Sequence, residues 1–219
     1  MVKRPIIAID GPSGAGKGTV ARTISEKLGY RHIDTGAMYR AVGWKANLER
    51  IALDDEPAVA ELAARARIVV EGGVVSIDGH DITRAIRSPE IDRAAAAVAR
   101  LPRVRQILVQ RQRKEAEAGG VVMEGRDIGT VVFPDADLKI YLDASPEERA
   151  RRRAVDPAHS GRTAGHAAVA EAIDARDWSD TTRTASPLTL ASDAVRIDTT
   201  GLSIQEVVDR VMKIVTERL

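Results

Sequence analysis

The stretch Gly11-Pro12-Ser13-Gly14-Ala15-Gly16-Lys17-Gly18-Thr19 combines glycines, one lysine and a hydroxyl at a spacing that suits a phosphate chain. The glycines let backbone N–H groups approach an anion with no Cβ in the way, and Lys17 adds a positive charge for the terminal phosphates. A plain strand-to-helix connector would need the glycines too, but it has no use for lysine at this position. The preceding run Pro5-Ile6-Ile7-Ala8-Ile9-Asp10 is short, apolar and rich in β-branched residues, and a helix-compatible stretch follows. Strand, loop and helix in this order make a P-loop, in which fixed N–H groups and a helix N-terminus surround a polyphosphate. Gly18 departs from the general pattern, standing where a Ser or Thr hydroxyl usually meets Mg²⁺. Thr19 is the nearest hydroxyl.

Other charged segments could complete a site. Asp34-Thr35-Gly36-Ala37-Met38-Tyr39-Arg40 ends a candidate strand and opens a helix, so a hydroxyl, N–H groups and Arg40 can converge on a second anion. The same residues would also suit an ordinary helix cap beside a surface arginine. Glu124-Gly125-Arg126-Asp127-Ile128-Gly129-Thr130 follows another apolar strand, and ligands of open parallel sheets collect beyond the carboxyl ends of strands. Arg149, Arg152 and Arg153 fall on one helix face beside the irregular stretch 155–165, which carries Arg162. Next to a phosphate site they read as a clamp on a transferring phosphoryl group. Arg176, Asp180 and Arg183 group at helical spacing, which ordinary ion pairs worth ~0.3–0.5 kcal/mol each would also explain. His32, His80, His159 and His166 have no metal-ligand spacing.

Strands and helices alternate along the chain, predicting an α/β fold of three layers with a central parallel sheet covered on both faces. Val20, Ile24 and Leu28 make the apolar stripe of the helix behind the loop, and Gly29 suits its C-cap. A strand is expected over 30–34, a helix from Ala37, and another helix over 57–67. Ile68 to Gly79 reads instead as a local hairpin with Gly-Gly and Asp-Gly turns. Pro89 to Ala118 is helical with a break at Pro102, and buried strands are expected at 121–124 and 138–143. Ser145 and Ser203 each precede a Glu by three residues, the pattern of a capping box. Ile204, Val207, Val208, Val211, Met212 and Val215 then form a core-facing stripe. One domain over 1–219 is expected, with an insert at about 57–105 and a lid at about 152–170 inside it.

Composition narrows the class. The formal net charge of +1 argues against non-specific coating of nucleic acid, which needs a large cationic excess. The absence of cysteine removes disulfide and zinc–thiolate chemistry and fits a reducing compartment. No apolar run is long enough for a membrane span, and the N-terminus has no signal-peptide core. A cytoplasmic monomer with small-molecule substrates, and neither nucleic-acid nor membrane partners, is expected.

Together these residues resemble the bacterial-type cytidylate kinases of the nucleoside monophosphate kinase group, over nearly the whole chain from Ile6. The most specific matches are the 10–19 loop, the 34–40 segment, Gly125-Arg126-Asp127-Ile128-Gly129-Thr130-Val131-Val132-Phe133-Pro134, and Arg176-Asp177 with Asp180 and Arg183. The Lys-Gly-Thr ending is typical of that group, and the hairpin corresponds to its enlarged monophosphate-binding insert. The resemblance implies transfer of the ATP γ-phosphoryl to CMP and dCMP in pyrimidine nucleotide metabolism. Mg²⁺ would be held mostly by phosphates and water, with no direct protein ligand. It further implies that Thr35, Arg40, Arg126 and Arg183 hold the acceptor phosphate, with Tyr39 lining the pocket and Arg176 beside it. Arg105 and Asp127 would read the cytosine edge and Asp180 the sugar hydroxyls. Residues 11–19 with Arg149 and Arg153 would bind ATP, and Lys17, Arg126, Arg152 and Arg183 would supply the catalytic charge. One departure stands out. Ala96 replaces a serine that commonly contacts cytosine, which weakens the expected discrimination between CMP and UMP. Rival functions are a P-loop kinase for UMP or another small molecule, and a nucleotide-gated switch. The chain lacks the Asn-Lys-x-Asp motif of guanine readers.

Overall fold

The computed structural model of the protein describes residues 4–156 and 166–219. In chain order the elements are β1 (Arg4–Asp10), α1 (Lys17–Leu28), β2 (Arg31–Asp34), α2 (Thr35–Leu48), α3 (Glu56–Arg65), β3 (Ile68–Glu71), β4 (Val74–Ile77) and β5 (His80–Asp81). Then follow α4 (Pro89–Val98), α5 (Pro102–Glu115), β6 (Gly119–Glu124), β7 (Leu138–Asp143), α6 (Pro146–Val155), α7 (His166–Thr182), β8 (Val195–Asp198) and α8 (Ile204–Arg218). The main sheet is parallel throughout, in the order β2-β6-β1-β7-β8.

Strand periodicity sorts the side chains of β1 into two layers. Ile6 and Ala8 join Val121 and Met123 under α2, α3 and α5, while Ile7 and Ile9 join Val122 and Ile140 under α1 and α8. Because β1 and β6 are covered on both faces, they read as continuous apolar runs rather than alternating ones. Completely buried side chains such as Ile7 and Ile140 each contribute ~1.5–3 kcal/mol. The sheet therefore offers a rigid base, and the P-loop leaves it at the carboxyl end of its middle strand, β1.

The second sheet is the local hairpin, extended by β5 into three antiparallel strands. Gly72 and Gly73 both have positive φ, as do Asp78 and Gly79, which is the backbone of type I′ turns. Ile77, Ile82, Ile86 and Ile91 form its core against Ala37 and Ala41 of α2. This sheet and α4 thus rest on the helix that follows β2.

Local rules moved several boundaries. α2 begins at Thr35 rather than Ala37, because the Asp34 carboxylate accepts a hydrogen bond from Ala37 N and caps it. Pro102 breaks the long helical stretch by opening α5. The box at Ser203 is complete, but that at Ser145 is half formed, since Glu148 turns to Arg151 and Arg152 instead. Ile204 leaves the expected stripe at 38% exposure, being the first residue of α8. The edge strand β8 and a π-helical turn at Ile128–Val132 carried no sequence signal.

Candidate active site

β1 ends at Asp10 and α1 begins at Lys17, so the glycine-rich residues are held between a buried strand and a helix N-terminus. Gly11 (φ 145°) and Gly14 (φ 79°) are obligatory for two reasons: the backbone is left-handed, and a Cβ would strike the Leu142 carbonyl or the Arg149 backbone. The loop is therefore wedged between β7 and α6. Lys17 Nζ donates to Pro12 O at 2.7 Å. Burial, helped by the Arg126 charge, pulls the Lys17 ammonium down to about 7. Asp10 accepts from Ile128 N (2.9 Å) and Gly129 N (2.7 Å), tying the loop's root to the π-helical turn. Burial raises its carboxyl to about 6 despite those bonds.

Arg149, Arg152 and Arg153 of α6 diverge although they share one face. Arg149 donates to Ala144 O and Ser13 O, both at 3.1 Å, and pairs with Asp177. Asp177 in turn accepts from Ser13 N at 3.1 Å. Arg152 reaches Thr199 Oγ1 (2.9 Å), Thr199 O (2.7 Å) and Ala15 O (3.4 Å). Arg149 and Arg152 thus hydrogen-bond the carbonyls of the phosphate loop itself. Arg153 points elsewhere, to Asp92 of α4. Arg162, His159 and residues 157–165 of the expected lid lie outside the described residues.

The residues expected on the acceptor side come from five segments. Thr35 donates to Glu124 O at 2.7 Å, joining α2 to β6. Arg126 Nε and Arg176 Nε both donate to Asp180 Oδ2, at 2.8 and 3.1 Å. Asp180 is 1% exposed. Burial alone would raise its carboxyl, but Arg126, Arg176 and Arg183 outweigh burial and hold it at about 2. Arg183 Nη1 lies 3.7 Å from Asp180 Oδ1, and its Nη2 lies 3.6 Å from Asp127 Oδ1. Asp127 also pairs with Arg105, whose guanidinium sits 5.5 Å above the Tyr39 ring. Burial pushes the Tyr39 hydroxyl up to about 12.

A cavity of about 460 Å³ joins these parts. Ser13 of the phosphate loop lines it together with Arg40, Ala96, Arg126, Arg153 and Arg176. Arg105, Asp127 and Arg183 do not line it but form a buried ion-paired group reached through Asp180. Within that group Arg105 Nε and Arg183 Nη2 have no hydrogen-bond partner among the described residues.

The structure adds residues whose part in the site went unread in the sequence. Glu124 ends β6 next to the loop strand, and a Cβ on Gly18 would lie 3.0 Å from its Oε1. The Glu124 carboxylate therefore occupies the space into which a Ser or Thr at position 18 would project. Its Oε1 is also 3.0 Å from His32 Nε2. Glu124 could have been found as a strand-end carboxylate beside a phosphate loop. Asp92 carries no such signal, since helical acids are ordinary; Asp177 stands in the Arg176-Asp177 match but had no role read for it. Among the described residues no group of three or more His, Asp or Glu could enclose a metal ion.

Comparison with known proteins places this geometry. The family model for cytidylate kinase matches residues 7–217. The chain is 50% identical to a cytidylate kinase of Desulfitobacterium hafniense, covering all of this chain and 96% of that one. It is 51% identical to a cytidylate kinase of Pelotomaculum thermopropionicum, over 95% of this chain and 94% of that one. Among solved structures, shikimate kinase from Bacteroides thetaiotaomicron superimposes with a TM-score of 0.50 at 12% identity, over 97% of this chain and 98% of that one, a likeness of fold alone. With a matching model over nearly its whole length and such relatives along it, the chain belongs to the cytidylate kinase family.

Proposed function

We infer that the protein transfers the γ-phosphoryl group of ATP to CMP and dCMP, giving CDP or dCDP and ADP. One observation carries this beyond family membership: Ser13 of the phosphate loop and the guanidinium groups of Arg40, Arg126 and Arg176 line the same cavity. A donor polyphosphate on the loop and an acceptor phosphate on the arginines would face each other there.

An acceptor phosphate oxygen is already anionic at neutral pH, so the transfer needs no general base. Catalysis is then alignment plus neutralisation of charge. Lys17 takes the β- and γ-phosphates, which favour its charged form against burial. Arg149 and Arg152 keep the loop carbonyls turned away so that the N–H groups face the anion. Thr35, Arg40, Arg126 and Arg183 hold the acceptor phosphate, with Arg176 fixed beside them by Asp180. Arg105 and Asp127 meet the base and Asp180 the sugar. Two buried donors are unpartnered among the described residues: Arg105 Nε suits a base edge, and Arg183 Nη2 a phosphate oxygen.

Mg²⁺ characteristically keeps several waters and uses one or two carboxylates plus substrate phosphates. The Glu124 carboxylate beside Gly18 and Lys17 fits that requirement. Asp10 fits less well, because both of its oxygens already accept backbone N–H groups. When bound, the ion would neutralise charge on the donor phosphates.

The test is ADP release from ATP and Mg²⁺ with CMP, dCMP, UMP, AMP and GMP. CMP and dCMP should give the highest kcat/KM. Acceptor-independent ADP release, or a tenfold preference for any other monophosphate, would overturn the assignment.

A further inference from the structure

Among the described residues, six arginines line the cavity (Arg40, Arg87, Arg93, Arg126, Arg153 and Arg176) and only one carboxylate, that of Asp92. An acid in the first turn of α4 would ordinarily count as favourable to the helix dipole and no more, worth ~0.3–1 kcal/mol. The contacts of Asp92 go well beyond its own helix. Oδ1 accepts from Arg40 Nε of α2 at 2.9 Å, Oδ2 pairs with Arg153 of α6, and its backbone carbonyl accepts from Arg176 Nη1 of α7 at 3.2 Å.

The choice of guanidinium edges matters. Asp92 binds the Nε edge of Arg40 and leaves both Nη groups. Nη1 of Arg40 lies 3.1 Å from where a Cβ on Gly36 would sit, at the first turn of α2. The carboxylate of Asp34, the cap of α2, stands at the same place: its Oδ1 is also 3.1 Å from that Cβ position and accepts from Ala37 N. Asp92 thus fixes the Nε edge of Arg40, with the Asp34 carboxylate near its Nη1. On its other side it holds Arg153, which sits on the helix whose Arg149 and Arg152 brace the phosphate loop.

Charge makes this arrangement demanding. Burial lowers both Arg153 and Arg176, and the neighbouring charges of Arg40 and Arg126 lower them further. For Arg40 burial acts the same way, and the carboxylates of Asp92 and Asp34 outweigh it. Without a counter-ion here, the arginines of acceptor and donor sides would move apart.

We propose that Asp92 is a positioning residue for phosphoryl transfer, holding Arg40 and Arg153 in register so that the acceptor phosphate and the braced phosphate loop are aligned across one cavity. The proposal rests on the kinase reading above, which the wild-type protein tests first. If wild-type protein fails to phosphorylate CMP, that reading fails; if it succeeds, the variants judge Asp92 alone.

The experiment measures steady-state kinetics with ATP, Mg²⁺ and CMP for Asp92→Asn, Asp92→Ala, Arg153→Ala and the Asp92→Ala/Arg153→Ala double variant, with thermal melts as a fold control. Asp92→Ala should raise KM for CMP about tenfold and lower kcat about tenfold, while KM for ATP stays within about threefold. Asp92→Asn, which keeps the shape but not the charge, should lose about half of that effect on a logarithmic scale and covers the case in which the alanine variant does not fold. The double variant should be little worse than Asp92→Ala, because both changes break one linkage. Wild-type constants in Asp92→Asn, a lowered KM for CMP, or fully additive losses would each overturn the proposal. A lowered KM would mean that Asp92 merely competes with the acceptor phosphate.

Discussion

The phosphate loop takes its groups from the unbroken run between β1 and α1, whereas the arginines proposed to hold the acceptor come from α2, the segment after β6, α7 and the chain just beyond it. In the loop the recognition elements are backbone N–H groups, placed by glycine conformations and by contact with Leu142 and Arg149. Around the acceptor cavity they are guanidinium groups, each held by a carboxylate: Arg40 by Asp92, Arg126 and Arg176 by Asp180, and Arg105 by Asp127. A backbone site tolerates side-chain change except at its glycines and its lysine. A site made of ion pairs propagates any loss, because removing one partner leaves a buried charge exposed to its neighbours. The two halves should therefore fail differently when mutated.

The largest effect is expected at Lys17, the loop's only side-chain charge. Lys17→Ala should lower kcat by ~10²–10³ while the protein stays folded. Near-normal turnover in a folded variant would remove the loop from the chemistry. The same residue predicts a pH effect on stability. Its folded value of about 7 lies below its ordinary 10.5, so the unfolded chain binds the extra proton between those values. Stability contributed here rises as pH climbs from about 7 toward 10.5, and the cost of burial is fully present below 7. Lys17→Met should therefore raise Tm more at pH 6 than at pH 10, and an equal shift at both would argue against a depressed lysine.

Next in size is Arg126→Lys. A lysine cannot reproduce a planar fork shared between Asp180 and a phosphate, so kcat/KM for CMP should fall ~10–100-fold with little change in KM for ATP. If KM for ATP rose instead, Arg126 would belong with the loop rather than the acceptor cluster. A comparable but more selective loss is expected at Asp180. Asp180→Ala should cost CMP more transition-state stabilisation than dCMP by about 1.5–3 kcal/mol if the 2′-hydroxyl is a direct partner. Equal losses for both acceptors would leave Asp180 with its ion pairs alone. The smallest effect belongs to Ala96, which lines the cavity one turn after Asp92. Ala96→Ser should sharpen the CMP/UMP ratio of kcat/KM by about threefold to tenfold, since a hydroxyl leaves the wrong base with an unmatched partner. A lowered Tm at an unchanged ratio would show that position 96 packs rather than reads.

Much was legible along the chain because it depends on near neighbours. The phosphate loop, the hairpin turns at Gly72-Gly73 and Asp78-Gly79, the C-cap at Gly29 and the break at Pro102 each follow from backbone preferences within a few residues. The alternation of strands and helices likewise implied the parallel sheet. β8 escaped because a four-residue edge strand with two charged positions has almost no periodic signal. The complete box at Ser203 and the half box at Ser145 look alike in sequence; they differ because Glu148 has Arg151 and Arg152 within reach.

The fate of each charged side chain required the fold. Sequence spacing places Arg149, Arg152 and Arg153 on one helix face but cannot distribute them to Ser13, Thr199 and Asp92, residues 136, 47 and 61 positions away. It can pair Arg176 with Asp180 along α7, yet it cannot bring Arg126 to the same carboxylate from 54 residues away. Local backbone geometry is written in neighbouring residues, so the sequence by itself determined the phosphate loop and the α/β alternation that presents it. Long flexible side chains take the counter-ion that tertiary packing brings near, so the structure alone decided which arginine meets which carboxylate and which arginines line the cavity.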